Sequence, residues 1–225
     1  MVYYFGLPKW SAGEIPIISV SQKPVELGTN ICVGDIGRSM ESYWMQMLAG
    51  AEAVTTKYTA VAEQDNFYPK SYFDFRPSDD DTFYYNFNYM VLHYSGELHG
   101  LFGVNNEIRT ASSQMICNTQ ILVDALTWVV GMLDKGHSVN YCEGLIVEPG
   151  AWENLFVGEY TIPKEFTKFD FFWDRWPSVD MRHNKNFTKQ KRQYSILSDK
   201  TVYWGTMGDI MTKKSMASPL LELGL

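Results

Sequence analysis

The sequence contains few cysteines and no long apolar segment. Its three cysteines, Cys32, Cys117 and Cys142, are an odd number without paired spacing, which excludes a disulfide scaffold and favours a reducing, cytoplasmic compartment. The longest nearly apolar segment, residues 121–133, contains Asp124 and is shorter than the roughly 20 residues that a membrane-spanning helix needs. We therefore expect no membrane segment in this protein.

Several common catalytic motifs are also missing. The sequence has no G-x-S-x-G nucleophile elbow, no G-x-x-x-x-G-K-[ST] phosphate-binding loop, no H-E-x-x-H zinc motif and no G-x-G-x-x-G dinucleotide motif. A serine hydrolase, a P-loop NTPase, a zinc protease and a typical dinucleotide oxidoreductase therefore lose support. No internal repeat or low-complexity segment is present, so we expect one domain over residues 1–225.

Basic charge is scarce overall but concentrated in one segment. The chain has 19 Lys and Arg against 26 Asp and Glu, a formal net charge of −7, so the molecule as a whole is not suited to coating nucleic acid. Residues 181–214 carry eight basic and two acidic side chains, a local charge of +6. This basic segment is either a solvated tail or a binding surface for an anionic partner.

Hydrophobic periodicity in the first half predicts strands that alternate with a helix. The helix begins after Ser39, whose side chain is a suitable N-cap, and its apolar residues recur at intervals of three and four. These residues are Met40, Tyr43, Trp44, Met47, Leu48, Ala51 and Val54. β-branched and aromatic residues predict strands over Val2–Phe5, Ile15–Val20, Ile31–Val33 and Tyr58–Ala62, the last being a buried strand after its crossover helix.

The centre of the chain has a different pattern. The runs Phe83–Tyr94 and Leu98–Phe102 flank a Ser-Gly-Glu turn, which predicts an antiparallel hairpin. A second helical stripe follows at residues 121–129, with Asn118 or Thr119 as its cap. Together the elements predict an α/β fold, with a mixed sheet flanked by helices and an antiparallel hairpin insert. In such folds, ligands bind beyond the carboxyl ends of the strands.

Two carboxylates, Glu63 and Asp65, directly follow the buried strand and lie on the same side of an extended chain. Hard oxygen ligands suit Mg²⁺ or Mn²⁺, which usually binds through one or two carboxylates and the phosphates of a substrate. The pair is therefore either a metal and diphosphate site or a solvated acidic turn.

A second candidate site lies late in the chain, where Asp180, Arg182 and His183 occupy four positions. A neutral imidazole can complete a metal site, and a guanidinium can neutralise phosphate charge. The alternative for His183 is a surface or core histidine without a ligand.

A third candidate site is the rigid Pro-Gly turn at residues 149–150, which presents the carboxylates of Glu148 and Glu153 beside Trp152, and of the two we choose Glu153. Partial burial against the indole would raise the pKa of this carboxyl towards working pH, as a general base requires. A surface loop acid is the alternative.

One order of segments spans most of the chain: Ser19–Pro24, Asn30–Gly34, Ser39, Gln46, Tyr58, Glu63-Gln64-Asp65 and Tyr68-Pro69. This order resembles a GT-A-fold glycosyltransferase. The resemblance implies a Rossmann-like sheet, a nucleotide-diphosphate sugar as donor, with UDP-glucose as the first candidate, and a Mn²⁺ or Mg²⁺ ion. It also implies a nucleotide-sugar-binding half over residues 1–80 and an acceptor-binding half over residues 81–225.

The resemblance implies a role for each candidate residue. Asp65 and His183 would hold the cation, and Glu153 would be the catalytic base of an inverting hexosyl transfer. The donor would contact Ser21, Gln22, Arg38, Glu63 and Arg182.

The sequence departs from the family pattern at three places. The first acid of the motif is Glu63 rather than the commoner Asp, and Asn154 stands where a second acid is frequent. Only about ten residues separate Phe5 from Ile15, too few for the usual first crossover helix of the family. The nucleoside pocket is therefore expected to be abbreviated or to be completed by a second copy in a homodimer.

The acceptor is open at this point. Small transferases that this chain resembles glucosylate hydroxymethylated bases of viral DNA, which would place the protein in the host cytoplasm, and the basic segment would suit the phosphate backbone. Protein and glycan acceptors are alternatives. A nucleotidyltransferase of similar fold and a non-catalytic nucleotide-sugar-binding module are the two rival classes.

Overall fold

The computed structural model describes residues 2–7, 15–94, 96–104, 111–138, 159–182 and 196–212. The chain divides into two compact units that interleave along the sequence. The first unit comprises Met1–Gln64, Arg76–Tyr85 and Arg109–Phe172, and the second comprises Asp65–Phe75, Asn86–Ile108 and Trp173–Leu225. Each unit contains its own β-sheet.

The described residues form strands, three α-helices and short 3₁₀ turns. In chain order the strands and α-helices are β1 (Val2–Leu7), β2 (Ile17–Ser21), β3 (Thr29–Cys32), α1 (Met40–Ala53), β4 (Tyr58–Glu63), β5 (Asn66–Phe67), β6 (Phe83–Asn86), β7 (Tyr89–His93), β8 (Phe102–Val104), β9 (Met115–Asn118), α2 (Thr119–Asp134), β10 (Phe169–Phe172), β11 (Ser178–Arg182), β12 (Ile196–Ser198), β13 (Lys200–Thr201), β14 (Gly205–Thr206) and α3 (Met207–Thr212). The 3₁₀ turns span Lys70–Asp74, Ser112–Gln114 and Lys164–Phe166. The fold is mixed α/β, as the sequence predicts.

The first unit contains a seven-stranded mixed sheet with the order β10-β6-β9-β4-β1-β2-β3. β2 and β3 are parallel, while β1 is antiparallel to both β2 and β4. Consequently β2, β3 and β4 run in one direction, and their carboxyl ends lie at one edge of the sheet. β9 is antiparallel to β4, so it begins at that same edge.

The connections follow from these directions. α1 joins two strands of the same direction, β3 and β4, which confirms the predicted crossover helix. Phe5 and Ile17 are register partners in the antiparallel pair β1·β2. An antiparallel pair requires no crossover helix, which explains why so few residues separate these two strands.

Two capped helices supply the core of the first unit. The Oγ of Ser39 accepts a hydrogen bond from the Ser42 backbone N–H at 3.1 Å, and the Oγ of Ser42 accepts one from the Ser39 N–H at 2.9 Å. α2 begins at Asn118, whose Oδ1 accepts from the Gln120 N–H at 2.8 Å. Both predicted caps are confirmed. Each cap satisfies a backbone donor that the helix leaves unpaired, a contribution of about 1 kcal/mol.

The predicted apolar stripes are buried in this core. On α1, Trp44, Met47 and Ala51 have no exposed surface, and α2 contributes a longer buried stripe. Those α2 residues are Ile121, Leu122, Ala125, Leu126, Val129 and Met132. Full burial of a Leu, Val or Met side chain contributes about 1.5–3 kcal/mol, so these stripes hold the helices against the sheet and against each other.

The second unit contains a five-stranded sheet with the order β12-β8-β7-β11-β5. β7 and β8 are antiparallel, with Leu92 opposite Phe102, which confirms the predicted hairpin pairing. β11 is parallel to β7 and antiparallel to β5. The core of this unit is a smaller cluster of Phe67, Leu92, Phe102, Val179, Met181, Trp204 and Ile210.

The run Phe83–Tyr94 is not one strand, and this part of the hairpin prediction is wrong. β6 belongs to the first sheet and β7 to the second. Between them the buried amide of Asn86 accepts a hydrogen bond from the Asn88 N–H at 3.0 Å and donates one to the Asn88 carbonyl at 3.0 Å. These bonds stabilise a local turn, as Asn side chains often do, so an asparagine within an otherwise strand-like run ends the first strand.

Within the described residues, no helix has the length and apolar character needed to cross a membrane.

Candidate functional site

The carboxyl edge of β2, β3 and β4 gathers four of the residues that the sequence singles out. Ser21 ends β2 and Gln22 follows it, Arg38 lies between β3 and α1, and Glu63 ends β4. All four belong to the first unit. This edge is where ligands bind in open α/β sheets.

Ser21 and Gln22 hold the loops at this edge. The Gln22 Nε2 donates to the Gly37 carbonyl at 2.6 Å, and its Oε1 accepts from the Ile36 N–H at 3.2 Å. The Ser21 hydroxyl donates to the Lys23 carbonyl at 2.7 Å and accepts from the Asn30 Nδ2 at 2.9 Å. Both side chains therefore shape the loops that a donor would meet, and direct contact with a donor stays a prediction.

Arg38 is exposed and directly precedes the N-cap of α1. The N-terminus of a helix carries a partial positive charge, which favours an anion beside it. Arg38 adds a full positive charge at the same end of the helix. The contact between Arg38 and a donor stays a prediction.

Glu63 is held by two hydroxyl groups that approach from different parts of the first unit. Its Oε1 accepts from the Tyr43 hydroxyl at 3.1 Å and from the Ser112 hydroxyl at 2.9 Å, and the two hydroxyl oxygens are 2.7 Å apart. Tyr43 lies in the first turn of α1, and Ser112 begins the 3₁₀ turn before β9. Glu63 is therefore a carboxylate positioned by hydrogen bonds, and its part in a metal and diphosphate site stays a prediction.

Sequence reasoning found Tyr43 only as a member of an apolar stripe and did not find Ser112. Tyr43 does pack against the hydrophobic core through its ring, so the stripe was correct but incomplete. Ser112 lies 49 residues beyond Glu63. No local sequence pattern links residues at that separation, so their contact could not be predicted.

In the second unit, the chain at Asp65 lies beside β11, the strand that ends at Arg182. The Asp65 carbonyl accepts a hydrogen bond from the Met181 N–H at 2.7 Å, which extends the antiparallel pairing of β5 with β11 by one position. The Oδ1 of Asp65 accepts from the Asn66 Nδ2 at 3.3 Å. Arg182 is the last residue of β11.

Two of the predicted site residues, His183 and Glu153, lie outside the described residues. Among the residues that the structure does describe, no group of three or more His, Cys, Asp or Glu side chains could hold a metal ion. The donor set that the sequence predicts consists of a carboxylate, an imidazole and substrate phosphates. This chemistry fits Mn²⁺ or Mg²⁺, and the metal site stays a prediction.

The aromatic residues of the basic segment that the structure describes are packed rather than displayed. Trp204 is 2% exposed, and its Nε1 donates to the Pro177 carbonyl at 2.7 Å. Tyr203 stacks on Trp176 with ring centroids 5.0 Å apart. Six of the eight basic residues lie outside the described residues, namely Lys185, Lys189, Lys191, Arg192, Lys213 and Lys214.

A buried carboxylate that the sequence did not single out, Asp174, lies in the second unit and is 6% exposed. Burial raises its pKa, and the charge of Asp74 acts in the same direction. Hydrogen bonds from the Ser71 hydroxyl at 3.0 Å and from the Arg175 N–H at 2.7 Å oppose that shift. A single acid within an aromatic run gives no sequence signal that its carboxylate is buried.

Comparison with models of protein families, with curated proteins and with solved structures yields no match to this chain.

Proposed function

We propose that this protein is a metal-dependent glycosyltransferase that moves a sugar from a nucleotide-sugar donor to an acceptor hydroxyl, with UDP-glucose as the first donor to test. The observation that carries the proposal is the carboxyl edge of β2, β3 and β4, where Arg38 and the positioned carboxylate Glu63 lie in one unit. A GT-A-like arrangement of the chain is part of the same proposal.

The residues divide the work by their chemistry. In the first unit, Arg38 neutralises phosphate charge of the donor, and Glu63 accepts a hydrogen bond from a hydroxyl of the donor. Asp65 and His183 would hold the divalent cation. When bound, the cation offsets the negative charge of the departing nucleoside diphosphate.

The transfer itself is a displacement at the anomeric carbon. The carboxylate of Glu153 accepts the proton of the acceptor hydroxyl while that oxygen forms a bond to the anomeric carbon. The bond from this carbon to the diphosphate breaks, and its electron pair leaves with the diphosphate. The sugar changes anomeric configuration, so the proposed enzyme is inverting.

The proposed acceptor is a hydroxymethylated base in DNA. The +6 charge of residues 181–214 supports this choice, because phosphate contacts from Lys and Arg dominate DNA affinity. We expect affinity for DNA to fall steeply with salt and to weaken when Lys189, Lys191 and Arg192 are replaced by Gln. A flat salt response would exclude DNA and leave protein or glycan acceptors.

The test of the function is to incubate the protein with nucleotide sugars and Mn²⁺ and to identify the released product. Free nucleoside diphosphate is the expected product, and Asp65→Asn should abolish its release. Asp199→Asn is the matched control, because Asp199 is an exposed acid of the same unit. Pyrophosphate release from nucleoside triphosphates would instead indicate a nucleotidyltransferase.

The binding-module alternative gives a third result. A module would bind nucleoside diphosphate without metal, would retain that binding in Asp65→Asn and would release no product.

A further inference from the structure

We infer that Tyr43 and Ser112 are positioning residues for the nucleotide-sugar donor and act through the carboxylate of Glu63. The inference rests on the proposed function and adds two residues to it. Neither residue touches a reacting atom in this account. Their role is to hold the Glu63 carboxylate oxygen in the position where it accepts a hydrogen bond from a hydroxyl of the nucleotide sugar.

The geometry is a closed triangle of oxygen atoms. The Tyr43 hydroxyl, the Ser112 hydroxyl and the Glu63 Oε1 are separated by 2.7 to 3.1 Å on all three sides. The two hydroxyl protons can form only two of these three hydrogen bonds at a time, and in every such arrangement at least one of them goes to Oε1, which has the lone pairs to accept either or both. This hydrogen bonding restrains the glutamate side chain in one orientation.

The three residues also come from three separate elements. Glu63 ends β4, Tyr43 projects from the first turn of α1, and Ser112 starts the 3₁₀ turn before β9. The Tyr43 ring is anchored against the core, and Ser112 is 7% exposed. The hydroxyl groups of Tyr43 and Ser112 are therefore held by packing before any ligand binds, which is the condition for a preorganised site.

A glutamate has one more rotatable bond than an aspartate, so an unrestrained Glu63 would lose more side-chain entropy when it binds a ligand. The two hydroxyl groups meet part of that cost during folding.

The chain offers matched controls for both substitutions. Tyr58 is the first residue of β4, as Glu63 is its last, and its hydroxyl donates to the Asp80 Oδ1 at 2.9 Å. Tyr58→Phe therefore removes a tyrosine–carboxylate hydrogen bond at the opposite end of the same strand. Ser78, whose hydroxyl lies 2.7 Å from that of Tyr84, gives Ser78→Ala as the control for Ser112→Ala.

The experiment measures the dissociation constants of UDP and UDP-glucose with Mn²⁺ by calorimetry, together with thermal unfolding of each variant. Tyr43→Phe and Ser112→Ala should each weaken donor binding by about threefold to tenfold, the range expected for one lost hydrogen bond. Ser112→Thr, which keeps the hydroxyl, should restore the affinity. Tyr58→Phe and Ser78→Ala should leave it unchanged.

A double-mutant cycle separates positioning from general damage to the structure. In a Glu63→Ala background, Tyr43→Phe and Ser112→Ala should cause no further loss of donor affinity, because their target is gone. If either substitution weakens binding equally with and without Glu63, or has no effect in the native chain, the inference is wrong while the proposed function stands. If the native protein binds neither UDP nor UDP-glucose, the proposed function itself fails, and the inference fails with it.

The two ligands also identify what Glu63 holds. If Tyr43→Phe and Ser112→Ala weaken the binding of both UDP and UDP-glucose, Glu63 binds a ribose hydroxyl. If they weaken the binding of UDP-glucose alone, Glu63 binds a hydroxyl of the transferred sugar. Both results support the positioning role.

Discussion

The two units of this chain are stabilised in different ways. In the first unit, the apolar stripes of α1 and α2 cover a seven-stranded sheet. In the second unit, the one described α-helix is the six-residue α3, and a smaller core is accompanied by buried hydrogen bonds among Asn86, Asp174 and Ser178. Where helical stripes are scarce, polar side chains take over the task of fixing loop shape.

The comparison predicts that the first unit is most sensitive to loss of apolar volume. Met47 is fully buried on α1, whereas Met45 on the same helix is 48% exposed. We expect Met47→Ala to lower the free energy of unfolding by about 2–5 kcal/mol and Met45→Ala to change it by less than about 0.5 kcal/mol. Urea denaturation followed by tryptophan fluorescence measures both. Equal effects of the two substitutions would contradict the assignment of the core to this helix face.

In the second unit, the largest effect is expected from loss of a polar side chain. Asn86 has no exposed surface, and its amide bonds to the Asn88 backbone, to the Asp174 N–H at 3.3 Å and to the Ser178 hydroxyl at 3.1 Å. Truncation in Asn86→Ala leaves buried groups without partners, which should cost about 2–3 kcal/mol.

The matched substitution is Asn88→Ala. The Asn88 side chain donates to the Asp174 carbonyl at 2.8 Å, and Asn88 is only partly buried. We expect this variant to be clearly more stable than Asn86→Ala in the same urea titration. The reverse order would show that the turn is not held by the buried amide.

Asp174 should make the stability of the second unit depend on pH. Burial raises the pKa of this carboxyl above its usual 3.8, so the folded protein binds the proton more tightly than the unfolded chain does. The free energy of unfolding therefore falls as pH rises from the unfolded pKa through the raised pKa of the folded state.

Asp174→Asn removes this titration and keeps the side-chain shape. The variant should lack that fall, so its stability relative to the native chain should increase with pH over this window. Urea denaturation of both proteins from about pH 3 to pH 7 measures the difference. A difference that is constant with pH would contradict the raised pKa.

The smallest effect is expected from the exposed ion pairs of the first unit. The Lys168 Nζ lies 2.7 Å from the Asp81 Oδ1, and the Lys57 Nζ lies 2.8 Å from the Asp80 Oδ2. Solvent and salt screen such pairs. Lys168→Ala should therefore leave the urea denaturation midpoint almost unchanged. A large shift would contradict the view that exposed ion pairs contribute little to the stability of the first unit.

Local patterns predicted the elements of the first unit well. Ser39 and Asn118 cap the helices as expected, because caps and stripes depend on residues only a few positions apart. The run Phe83–Tyr94 was misread, because the hydrogen bonds of Asn86 that divide it are fixed by partners as distant as Ser178. The parallel pairing of β7 with β11 likewise joins segments almost ninety residues apart, and no local pattern encodes it.

The candidate site could be predicted only in part for the same reason. The carboxylates Glu63 and Asp65 form a visible motif at the end of a strand. The hydroxyl groups that position Glu63 come from Tyr43 and Ser112, and the hydrogen bond from Met181 to Asp65 crosses more than a hundred residues. Such partners follow from the fold rather than from spacing along the chain.

The central claim is that Asp65 and His183 bind a divalent cation together with the donor diphosphate. The most direct test measures Mn²⁺ binding in the presence of UDP, with the decrease in the electron paramagnetic resonance signal of free Mn²⁺ as the readout. The account predicts one bound ion per chain, at least tenfold weaker binding in Asp65→Asn and in His183→Ala, and native affinity in Asp199→Asn. Native Mn²⁺ affinity in Asp65→Asn and His183→Ala would contradict the account.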